Sequence, residues 1–107
     1  MSVQILAIDG CPSLDAATEN TRLALEALGL AETAIEHVII RDAEGARAHS
    51  FAGSPTILVS GTDLFPSDGA TESLACRVYP TETGIAPAPS RTQLVTALRE
   101  RLTPPIS

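Results

Sequence analysis

The chain has 107 residues, 44% of them apolar and only 3% aromatic, enough for one domain whose core is built from Leu, Ile, Val and Ala and whose folding buries about two-thirds of the unfolded surface. Such an apolar content excludes intrinsic disorder as the organising principle. The formal charge of −6, with seven scattered basic residues that are all Arg, disfavours nucleic-acid partners, because phosphate contacts need a positive field.

Val3 to Ile8 is an apolar run broken only by Gln4, the pattern of a strand covered on both faces. It is far too short to cross a bilayer and lacks the flanks of a signal peptide, so no membrane partner is expected. Asp9-Gly10-Cys11-Pro12 ends the strand, and a helix is expected to begin near Pro12 or Ser13, where proline needs no internal N–H partner. Leu14, Ala17, Thr21, Ala24, Leu25 and Leu28 fall on one helical face. Gly29-Leu30 forms a Schellman-type stop. Ile35 to Ile40 reads as a second strand, parallel to the first across the helical link. Asp42 to His49 accommodates a short second helix, weakened by Gly45.

Ser54 to Val59 is the third expected strand, opened by proline. Gly61 to Ala75 reads as a long polar loop, with Asp63, Asp68 and Glu72 forming a solvated acidic face. Cys76 to Tyr79 is expected as the fourth strand, antiparallel to the third, and Thr81 to Pro89 as a turn-rich connection. Ser90-Arg91-Thr92-Gln93 is a capping box that starts a final helix with Leu94, Ala97, Leu98 and Leu102 inward. One domain over residues 1–103 follows, with 104–107 as a loose tail. The expected class is α/β, a four-stranded mixed sheet flanked by helices in the order βαβαββα.

Two motifs, Gly10-Cys11-Pro12-Ser13-Leu14 and Phe51-Ala52-Gly53-Ser54-Pro55-Thr56, together with that order, resemble the thioredoxin and glutaredoxin superfamily over nearly the whole chain. The chain is also similar to small bacterial thioredoxin-like proteins, some labelled alkylmercury lyase-like. The resemblance implies a thioredoxin-like fold with Cys11 as the reactive thiol. It also implies that Pro55 is a cis-proline facing Cys11, and that Pro12, Ser54, Pro55 and Thr56 contact the substrate. The chain departs from the dithiol pattern at Leu14, where the family carries its second cysteine. Leucine fills that space under the first helical turn, so the usual intramolecular disulfide has no second sulfur.

Cys11 at a helix start meets a dipole and free N–H groups that favour a sulfur anion as nucleophile. Asp9 and Asp15 work against this. Cys76, a small buried hydrophobe in the plainer reading, is the candidate second thiol, although a strand antiparallel to the third places it toward the far end of the sheet. His37, mid-strand, reads as a structural histidine and His49 as a surface one. Cys11, His37, His49 and Cys76 lack the short spacings of a zinc site, so no metal is expected. No nucleophile elbow, phosphate loop or dinucleotide fingerprint is present. Two unlinked cysteines point to a reducing, cytoplasmic compartment.

The preferred expectation is a monothiol thioredoxin-like protein whose Cys11 thiolate reacts with a disulfide, a glutathione adduct or a soft electrophile. It would act as a thiol-disulfide oxidoreductase or thiol-dependent transferase on a small thiol compound or protein disulfide, with no bound cofactor and glutathione as a candidate co-substrate. The alternative is a non-catalytic binding or assembly module on the same fold.

Overall fold

A four-stranded mixed sheet in the order β2-β1-β3-β4 organises the molecule. The structure is a computed structural model and describes residues 2–49, 51, 53–65 and 77–102. Strand β1 (Val3–Ile8) lies between β2 (Ile35–Ile40), which runs parallel to it, and β3 (Thr56–Val59), which runs antiparallel. Helix α1 (Leu14–Ala27) makes the β1–β2 crossover, α2 (Ala43–Ala48) follows β2, and α3 (Arg91–Leu102) closes the described chain.

The alternation of side chains along a strand divides the core into two layers. On one face Val3, Ile5, Ile57 and Val59 pack with Ala24 and Leu25 of α1 and with Leu94 and Leu98 of α3. On the other, Leu6 and Leu58 meet Ile40, Ala46 and Phe51. Each fully buried Leu or Ile stabilises the fold by about 1.5–3 kcal/mol relative to exposure, so the aliphatic core does not need aromatic bulk. The α1 face expected from periodicity is the buried one: Ala17, Thr21, Ala24 and Leu25 are buried, while Leu14 and Leu28 pack at the margin.

Helix ends follow their sequence signals. The Leu30 N–H bonds to the Leu25 carbonyl at 2.7 Å and the Gly29 N–H to Glu26 at 3.1 Å, the two bonds of a Schellman motif. Before α3, the Gln93 N–H donates to Ser90 Oγ at 3.1 Å and the Ser90 N–H to Gln93 Oε1 at 3.3 Å, a reciprocal capping box. Asp42 caps α2 by accepting from the Gly45 N–H at 2.7 Å. Helix α1 starts at Leu14 with Ser13 as N-cap, slightly later than expected. Pro12 therefore lies outside it, and Cys11 stands two residues before the N-cap, not at the helix start.

The fourth strand is a correction. Strand β4 is Thr62–Asp63, folded directly onto β3 with Leu58 opposite Asp63 and Val59 opposite Thr62. The two connecting residues, Ser60 and Gly61, both have positive φ, as the tight hairpin turn that matches strand twist requires. Tyr79 begins a different strand, β5 (Tyr79–Thr81), which pairs with β6 (Gly84–Ala86) in a separate two-stranded sheet. Arg77 and Val78 precede it outside any strand. The Ser60-Gly61 hairpin turn places β4 on the β3 edge that the more distant segment was expected to occupy. Cys76, Asp68 and Glu72 lie outside the described residues, as do most of the expected polar loop and the tail at 104–107.

Gly53 shows how tightly the later segment comes back. Its φ is +109°, and a Cβ placed there would lie 2.8 Å from Arg77 Cβ. Gly53→Ala is therefore expected to lower unfolding stability by about 2 kcal/mol or more, through backbone strain and overpacking together. Urea unfolding measures this, and a loss under about 0.5 kcal/mol, the scale of an indifferent surface change, would remove the close approach.

Candidate functional site

Two consecutive turns carry the chain from β1 into α1. The Cys11 N–H bonds to the Ile8 carbonyl at 3.1 Å and the Leu14 N–H to the Cys11 carbonyl at 3.3 Å, while the helix proper starts with Ala17 N–H to the Ser13 carbonyl. Cys11 is half-buried with a free thiol, and Pro12 beside it is exposed. Leu14 packs against the larger core layer. The Ser13 side chain makes no cap bond, and Asp15 stands in the first turn of α1.

The entry to β3 is fastened to the same place. Ser54 Oγ accepts the Ile8 N–H at 3.1 Å, so one residue, Ile8, receives Cys11 on its carbonyl and Ser54 on its amide. The Ser54–Pro55 peptide bond is cis. Ser54, Pro55 and Thr56 are buried, and Thr56 Oγ1 donates to the Gly53 carbonyl.

The carbonyls of this turn are held by residues that sequence reasoning passed over. The Arg77 N–H donates to the Ser54 carbonyl at 2.8 Å, and the Tyr79 hydroxyl donates to the Pro55 carbonyl. Arg77 is itself anchored. Its Nη1 meets Asp63 Oδ2 at 2.9 Å, its Nη2 donates to the Phe65 carbonyl, and its guanidinium lies 4.6 Å from the Tyr79 ring centroid. Phe65 packs edge-on against Tyr79 at 5.5 Å. Asp63, expected on a solvated face, is instead the partner of Arg77, with its side chain 16% exposed. Desolvation pushes the Tyr79 phenol well above its ordinary range, with Arg77 pulling it back and Asp63 reinforcing the rise. The one available signal for this cluster was Tyr79 itself, the only tyrosine in an aromatic-poor chain, since a buried phenol needs a hydrogen-bond partner.

The histidines stand apart from this cluster. His37 is exposed on β2 and shares a 2.9 Å hydrogen bond with Thr18, and His49 is the exposed C-cap of α2. Among the described residues, no group of three His, Cys, Asp or Glu side chains is placed to hold a metal ion. None of their helices is long and apolar enough to cross a membrane. Comparison with protein-family models, curated proteins and solved structures gave no match.

Tyr79→Phe should cost about 1–3 kcal/mol, because it leaves the buried Pro55 carbonyl without its donor. The sign of the pH effect follows from the raised phenol. The folded state keeps its proton where the unfolded chain loses it, so the contribution is whole below about pH 10 and is lost as pH rises further. Phenolate absorbance should appear only together with unfolding. A freely titrating phenol in the folded protein would contradict the Tyr79–Pro55 bond.

Proposed function

We propose that the chain is a thioredoxin-like monothiol protein in which Cys11 is the reacting group. The parallel β1–β2 pair, the antiparallel β3–β4 pair and the convergence of both sequence motifs on Ile8 support this reading. The last of these carries it. One residue holds the Cys-Pro turn and the Ser-Pro-Thr turn side by side, although they are far apart in sequence.

In this reading the Cys11 thiolate attacks one sulfur of a disulfide. A new Cys11–S bond forms as the old S–S bond breaks, and the departing thiolate takes a proton from water. Cys11 is oxidised as the released half is reduced. With Leu14 where a resolving thiol would stand, an external thiol such as glutathione must release the adduct. Of the residues that the resemblance offers as substrate contacts, Pro12 is exposed next to Cys11, whereas Ser54, Pro55 and Thr56 are buried. Attack on a soft electrophile uses the same thiolate. The compartment that suits such a thiol is reducing and cytoplasmic.

A second reading has its own observation. On the β5–β6 sheet Pro80 stands opposite Ile85, Val78 is two residues before Pro80, and Val78 and Ile85 are 61% and 76% exposed. Such an apolar face suits a non-catalytic binding module. Binding that survives Cys11→Ser would favour it.

In a Cys76→Ser background, Cys11 should be alkylated at neutral pH and form a mixed disulfide with glutathione disulfide, and Cys11→Ser should do neither. Failure of both reactions overturns the thiol reading. Leu14→Cys in the same background should give a reducible disulfide with Cys11. The i-to-i+3 turn bond keeps the two Cα atoms within about 7 Å, close to the span a disulfide bridges. Thiol titration after mild oxidation checks this, and two persisting thiols would count against the turn geometry.

A further inference from the structure

We infer that residues Arg77 to Tyr79 are a built-in strap over the Ser54–Pro55 turn, excluding extended polypeptides and leaving Cys11 to small disulfides and electrophiles, an inference that rests on the Cys11 reading above. An extended peptide docks on a backbone edge by pairing with its free carbonyl and N–H groups, and side-chain pockets add selectivity afterwards. At this turn both carbonyls are already taken. Ser54 accepts from the Arg77 N–H at 2.8 Å, and Pro55 accepts from the Tyr79 hydroxyl. Ser54 is 1% exposed, and its hydroxyl oxygen accepts from Ile8.

The strap is not a loosely draped segment. Asp63 and the Phe65 carbonyl hold the Arg77 guanidinium, Tyr79 lies beneath it, and Phe65 abuts Tyr79. Gly53 leaves no room between turn and strap for even a Cβ. A polypeptide seeking these carbonyls must displace two internal donors and leave a buried phenol and the Arg77 backbone N–H without their acceptors, both unfavourable. A small disulfide needs none of those pairings. It requires only access to Cys11, which is half-buried and next to the exposed Pro12. Arg77 and Tyr79 are thus specificity-determining residues that act through the turn rather than on the reacting atoms.

The test uses Cys76→Ser protein with and without the pair Arg77→Ala and Tyr79→Phe. Two reagents are compared, bis(2-hydroxyethyl) disulfide and the symmetrical disulfide of a short unstructured peptide, each rate being divided by that of free cysteine with the same reagent. The strapped protein should favour the small disulfide by about tenfold or more. Loosening the strap should raise the peptide rate about fivefold or more and leave the small-disulfide rate within about twofold. Equal rates in the strapped protein, or a peptide rate unmoved in the double variant, overturn the inference.

Hydrogen exchange at the Arg77 amide provides a readout independent of sulfur chemistry. Protection of about a hundredfold or more is expected with the strap intact, falling about tenfold in the double variant. An unprotected Arg77 amide overturns the strap whatever Cys11 does. A protected amide with Cys11 inert to both reagents instead overturns the thiol reading and the selectivity built on it, and leaves the strap as a structural clasp.

Discussion

The hydrogen bond from the Ile8 N–H to Ser54 Oγ is the constraint on which the candidate site depends. It joins the end of the central strand to the turn that opens β3, and it uses a buried hydroxyl to do so. A buried backbone N–H without a partner is costly, so the position requires an acceptor. The neighbouring carbonyl of Ile8 is equally committed, receiving the Cys11 N–H. Both groups of one peptide-bearing residue therefore fix where the sulfur-bearing turn and the proline turn meet.

From that joint, order spreads outward in layers. Arg77 and Tyr79 complete the hydrogen bonding of the turn, and Asp63 and Phe65 complete that of Arg77. Asp63 Oδ1 also accepts the Phe65 N–H at 2.9 Å, while Arg101 of α3 donates to the carbonyls of Val59 and Asp63 at 3.0 Å each. The β3–β4 hairpin is thus tied to both the turn and the last helix. In a core with so few aromatics, polar clasps of this kind supply the directional specificity that aliphatic packing lacks.

Chemical reach follows from the same economy of free groups. Leucine at position 14 packs against the core, and the turn carries a single sulfur, that of Cys11. The carbonyls beside it face inward partners, not solvent. What stays accessible is the turn between β1 and α1, with Asp9, Gly10 and Pro12 exposed and Cys11 half-buried. A site built this way suits an encounter that demands little of the backbone.

Much of the scaffold was legible in the sequence because its signals are local. The apolar run of β1, the 3.6-residue stripe of α1, the Gly29-Leu30 stop and the Ser90–Gln93 capping box each depend on residues within a turn or two of one another, and all appear in the fold. The fourth strand escapes such a reading because the polar run from Gly61 has the composition of a loop, whereas Ser60-Gly61 makes a tight hairpin turn. Of the clasp of Arg77, Tyr79, Asp63 and Phe65, only the lone tyrosine left a signal. By itself the sequence determined the three helices, the first three strands and which of their faces are apolar, since propensity and periodicity act at short range. Only the tertiary structure decided that Ile8 would hold both turns and that Arg77 and Tyr79 would cap the second, because the partners of buried polar groups are chosen by packing between distant segments.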